Sequence, residues 1–139
     1  MAINTQFPIA VHMMAALGYR CGKDTTSATL TMSVNTSPIF VRRVLARLSK
    51  AGLVETATGK AAACLLYTDA KDISLMDIYR AVDAPKAFSI HNYAAQKPCL
   101  VSCNIKAALE KTLAHTQKAM EASLDETSLA QIILDIKKS

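Results

Sequence analysis

The stretch "NTSPIFVRRVLARLSKAGLVE", residues 35–55, decides how the rest of the chain is read. Ser37 suits a helix N-cap and Pro38 the first helical position, where its missing N–H costs nothing. The helix should run from Pro38 to about Lys50 and stop before Gly52, a residue favoured just past a helix end. Val41, Val44, Leu45 and Leu48 recur at helical spacing and form its buried stripe. Ile39, Arg42, Arg43 and Lys50 fall away from that stripe, and Arg47 lies at its margin. Two readings are open: a solvated basic face, or a face aimed at something acidic.

Working outward, residues 5–21 carry Phe7, Ala10, Val11, Met14, Ala15 and Leu17 at a helical period. "CGKDTT" reads as a turn, and "SATLTMSV" as a short second helix capped by Ser27 or Thr26. After the basic helix, "LVETATGKAAACLLYT" reads as two short strands around a turn at Gly59–Lys60. Three helices followed by a basic-tipped hairpin describe a winged helix-turn-helix, so the fold is expected to be mainly α with a small β-wing.

"DISLMDIYRAVD" is a further helix, with Ser74 as N-cap and Asp77 as its capping-box partner. Its apolar side is Ile73, Leu75, Ile78, Tyr79 and Val82. Residues 84–97 lack a period and read as a loop, a possible sensor region. Pro98 then opens a long helix lined on one side by Ile105, Leu109, Thr112, Leu113, Thr116, Met120 and Leu124. "ETSLAQIILDIKK" closes the chain as a last helix. The expected division is a winged domain over 1–83, the loop, and a dimerisation helix with the C-terminal helix over 98–139. The long stripe reads as a dimer seam, the alternative being that the last helix folds back and covers it.

The charge is uneven. Residues 1–60 hold seven basic groups against Asp24 and Glu55, a net of +5, whereas residues 61–139 hold nine of each sign. A basic imbalance held within the first 60 residues, most of it on the recognition helix and wing, is the electrostatic footprint of a polyanion-binding face. No apolar run approaches the ~18 residues of a spanning helix, and the first residues lack a signal-peptide pattern. The chain is therefore expected to be cytoplasmic, away from membranes, with its four cysteines as thiols.

In a helix-turn-helix the third helix enters the major groove while flanking groups hold phosphates. Ser37, Ile39, Arg42, Arg43 and Arg47 are thus the expected DNA face, with Lys60 at the wing tip reaching the adjacent backbone or groove. The guanidinium fork of Arg42 and Arg43 fits a guanine edge or a phosphate. A winged-helix adaptor, whose basic face binds an acidic protein, is the alternative. Its affinity would lack the steep salt dependence of counterion release.

Four segments, "FPIAVHMMAAL", "VNTSPIFVRRVLARLSKAGLVE", "DISLMDIYRAVD" and "CLVSCNIKAALEKTLAHTQKAMEASL…SLAQII", carry a resemblance over nearly the whole chain. They resemble the family of bacterial transcription regulators that includes IscR, NsrR and CymR. The resemblance implies a homodimer that binds double-stranded DNA at a palindromic operator, one recognition helix per half-site, and usually as a repressor. Family wings commonly carry a Gly-rich tip, whereas here Gly59 is followed by "KAAAC". Members with an iron–sulfur cluster present three cysteines between the fourth and fifth helices. The interval 84–103 holds only Cys99 and Cys103, so the chain is similar to the branch with few cysteines, and no cofactor is expected.

Cys99 follows Pro98 and is expected at the second helical position, where unpaired amides, the helix dipole and Lys97 favour a thiolate. That makes it a candidate sensor of an oxidant or small effector, with Cys103 one turn on. The alternative is that both pack as small apolar residues. Cys21 and Cys64 read as packing residues, His12 as structural, His91 as an exposed loop residue, and His115 as lying at the solvent edge of the seam. No nucleophile–base pair, phosphate-cradling loop or paired carboxylates point to an enzyme.

Overall fold

In the computed structural model, which describes residues 5–20, 25–56 and 64–138, the first three helices form around their own end signals. They are α1 (Gln6–Arg20), α2 (Ser27–Val34) and α3 (Pro38–Lys50). Of the two candidate caps for α2, Thr26 is the one used. The Thr29 N–H donates to Thr26 Oγ1 at 3.2 Å, and the Thr26 N–H donates to Thr29 Oγ1 at 2.7 Å. Asn35 ends α2 in the left-handed region at φ 58, a conformation Asn tolerates better than most side chains. Ser37 occupies the N-cap of α3 in extended backbone, although its hydroxyl makes no capping bond. Gly52 follows the C-cap at φ +79, where any side chain would be strained.

Val41, Val44, Leu45 and Leu48 of α3 meet Ala10, Met13, Met14 and Leu17 of α1 and Leu30 of α2 in one core. Met13 lies outside the stripe expected for α1, and Phe7 and Val11 are only half-buried. The reason is that α1 is packed by α2, α4, α6 and the wing together, so its buried face is wider than one stripe.

Strands β1 (Val54–Thr56) and β2 (Cys64–Leu66) pair antiparallel, Val54 opposite Leu66 and Thr56 opposite Cys64. Val54 and Cys64 face the core, and the Cys64 N–H donates to the Thr25 carbonyl at 2.6 Å. The turn expected at Gly59–Lys60 lies outside the described residues.

A 3-10 turn, Ala70–Asp72, leads into α4 (Leu75–Ala81). Its capping box is the expected one: the Asp77 N–H donates to Ser74 Oγ at 3.0 Å and the Ser74 N–H to Asp77 Oδ2 at 2.9 Å. Ile73, Ile78, Tyr79 and Val82 are buried as expected, with Met76 added.

Two helices complete the chain, α5 (Leu100–Glu126) and α6 (Leu129–Lys137). Residues 1–84 and 124–139 form one compact unit, and residues 85–123 a second. Helix α6 belongs to the first: Leu129 and Ile133 join the core and the helix packs on α1. The Leu129 N–H donates to the Ile73 carbonyl at 2.8 Å, and the Leu75 N–H to the Thr127 carbonyl at 2.9 Å. Gly18 permits this approach, since a side chain there would run into Ile133. No residue of α5 is buried. No helix among the described residues is long and apolar enough to cross a membrane.

Candidate nucleic-acid interface

Helix α3 divides cleanly into two faces. Its buried stripe anchors it, and steps of three, four and seven residues place Ile39, Arg42, Arg43, Ala46 and Lys50 on the opposite, exposed side. Ile39 is 67% exposed, an apolar side chain left in water beside two guanidinium groups. Arg42 Nε donates to the Pro38 carbonyl at 3.4 Å, which lays its stem along the first turn. A groove of about 520 Å³ runs between α3 and β1, lined by Arg42, Ala46, Ser49, Lys50 and Thr56. Ser37 opens the helix beside Ile39 and is exposed. Lys60 lies outside the described residues.

Arg47 lies between the two faces. It is half-buried, and its Nη1 donates to the Val82 carbonyl at 2.8 Å. Gln6 Nε2 donates to the same oxygen at 2.9 Å. Neither contact has a sequence signal, because the partners stand 35 and 76 residues apart.

In the second unit, the loop after α4 is fastened along α5. The Ala87 N–H donates to Gln117 Oε1 at 3.0 Å, and the Gln96 N–H to Ser102 Oγ at 2.8 Å. Tyr93 donates its hydroxyl to the Ser102 carbonyl at 2.6 Å and stacks on His91 with centroids 4.8 Å apart.

Cys99 is the N-cap of α5, one position before its first residue, rather than the second residue of the helix. A turn closed by the Cys99 N–H on the Gln96 carbonyl, 2.9 Å, keeps Pro98 outside. The Cys99 carbonyl accepts from the Cys103 N–H at 3.1 Å, and its sulfur accepts from the Ser102 N–H at 3.4 Å. Both Cys99 and Cys103 are exposed, so neither packs in a core.

Cys64 is buried, and burial pushes its thiol up. Cys21 lies outside the described residues. His12 is exposed on α1 with Nε2 3.0 Å from Ser33 Oγ, joining α1 to α2, and His115 is exposed on α5. A cavity of about 590 Å³ lies between α1, the end of β2 and α6, lined largely by Leu17, Leu65, Leu66, Ile133 and Leu134.

Residues 3–135 match the Rrf2 family, described as an iron-dependent transcriptional regulator. YwnA of Bacillus subtilis, assigned as an HTH-type transcriptional regulator, is 34% identical over 132 residues, covering 94% of this chain and 96% of YwnA. A solved structure assigned as a DNA-binding protein is 31% identical with a TM-score of 0.73, covering 92% of this chain and 98% of that one. The B. subtilis global cysteine regulator CymR shares the fold at 20% identity, with a TM-score of 0.69 and 96% of each chain covered.

Among the described residues no three of His, Cys, Asp and Glu gather as metal ligands. Cys99 and Cys103 supply two exposed thiols where a cluster held by protein thiolates needs about four donors, so the donors among the described residues of one chain do not fit such a cluster. The basic outward face of α3, the wing beside it and the match over residues 3–135 lead to one conclusion: the chain belongs to the Rrf2 family of transcriptional regulators.

Proposed function

We propose that this chain acts in the cytoplasm as a homodimeric, sequence-specific repressor. It reads a palindromic operator in double-stranded DNA and is not an enzyme. The exposed face of α3 carries this reading, with Ile39, Arg42 and Arg43 projecting opposite a fully anchored apolar stripe. Arg42 and Arg43 meet guanine edges or phosphates, Ile39 a thymine methyl, and Ser37 a phosphate at the helix start. Lys60 of the wing holds the adjacent backbone.

The signal enters at Cys99. Its thiol is exposed at the head of α5. Hydrogen peroxide transfers one oxygen to the sulfur, giving a sulfenic acid and water, and Cys103 stands one turn away. A small-molecule effector is the second reading, favoured by the 590 Å³ cavity beside α6, whose size suits such a ligand.

Selection of bound sequences from a random duplex pool, with reduced and with peroxide-treated protein, tests this reading. One inverted repeat should emerge from one redox state, and Cys99→Ser should abolish the difference. On that site, Arg42→Ala or Arg43→Ala should weaken binding. Each lost phosphate contact should flatten the log–log salt dependence by about 0.9, and each lost base contact should relax one operator position. Enrichment of no sequence in either state overturns DNA recognition and leaves the adaptor role. Recovery of one site in both states overturns oxidant sensing alone.

A further inference from the structure

Two side chains that no motif connects meet at one backbone oxygen. Val82 closes α4 and is fully buried. Its carbonyl accepts from Gln6 Nε2 of α1 and from Arg47 Nη1 of α3. The chain then turns through Asp83, in the left-handed region at φ 51, and leaves the first unit after Ala84. Among the described residues, the Arg47 bond is the one side-chain hydrogen bond by which α3 reaches another element. A guanidinium donating to a carbonyl at a helix C-terminus belongs to the stronger class of hydrogen bonds, because the dipole leaves negative charge there.

We infer that Arg47 is a positioning residue: it ties the recognition helix to the point where the chain departs toward the sensor loop, instead of touching DNA. This rests on the operator reading proposed above. Loss of Arg47 leaves the Val82 oxygen still bonded to Gln6, so no buried acceptor is orphaned. The expected consequence is a recognition helix held less firmly within a folded unit. Misplacement in each protomer should show as poorer discrimination of half-site spacing.

The experiment measures affinity against salt on the operator selected by the unaltered protein, and on operators with the half-sites moved by one base pair. Arg47→Met should bind the native operator about 2- to 30-fold more weakly. Its salt slope should be unchanged and its preference for native spacing reduced. Gln6→Leu, which removes the other donor and leaves α3 tied, should retain that preference. A slope flattened by about 0.9 in Arg47→Met makes Arg47 a phosphate contact and overturns the inference. Unaltered spacing preference in Arg47→Met, or equal loss in Gln6→Leu, also overturns it. Should Arg47→Met fail to fold, Arg47→Lys carries the test: a phosphate role predicts near-native binding, a positioning role relaxed spacing. If the unaltered protein selects no operator, the failure belongs to the proposed function.

Discussion

Cys64 shows what one buried atom does to the molecule's response to pH. The thiol faces the core from β2, and burial disfavours its thiolate, so its folded pKa lies above that of the unfolded chain. Above about pH 8.5 the unfolded chain gives up this proton while the folded chain retains it, and stability falls as pH rises. Denaturant midpoints between pH 7 and 10 should therefore decline at the alkaline end, and Cys64→Val should remove part of that decline. Equal alkaline slopes in the two proteins would rule Cys64 out as the cause. Its packing role was legible from the wing sequence, because an apolar residue in a short strand has one inward side to take. The outward set Ile39, Arg42 and Arg43 was legible for a similar reason, since α3's period separates two faces. Arg47 was not: at the margin of a stripe, its direction depends on a carbonyl 35 residues later. Cys99 was misplaced by one helical end, because the turn on Gln96 excludes Pro98 from the helix.

At the scale of elements, local signals located the helices and tertiary context chose their partners. Thr26 with Thr29, Ser74 with Asp77 and Gly52 each close an element with bonds or angles made within a few residues. Helix α6 was equally legible as an amphipathic helix, yet a stripe states that a face is covered and not by what. The covering partner is α1, admitted by the missing side chain of Gly18. Leu129 is fully buried there, so Leu129→Ala should cost about 2–5 kcal/mol of stability, from lost transfer energy and the cavity left behind. Equilibrium denaturation followed by a probe in the winged unit checks this. A loss below about 0.5 kcal/mol, the range of ordinary surface substitutions, would mean that α6 is not part of that core.

For the whole molecule, the long helix poses the outstanding physical question. At 1.5 Å per residue, the 27 residues of α5 extend about 40 Å, yet none of them is buried. Ile105, Leu113, Met120 and Leu124 are half-buried and Leu109 is 37% exposed, all on the side the spacing marks as a seam. Helices gain most of their stability by packing an apolar face, and α6 has its own face in the winged core. On the dimer proposed above, the partner is a second copy of α5, whose stripe matches in length and period. The expectation is a dimer at micromolar concentration by sedimentation, converted to monomer by Leu109→Glu with Leu113→Glu. The winged unit, whose core excludes both positions, should keep its fold. Because a dimer makes binding of the second half-site intramolecular, the monomer should lose about 10²- to 10⁴-fold in operator affinity while a single half-site is bound as before. A variant that stays dimeric would place the interface elsewhere. One that turns monomeric yet holds the full operator equally well would show that two half-sites are not read together.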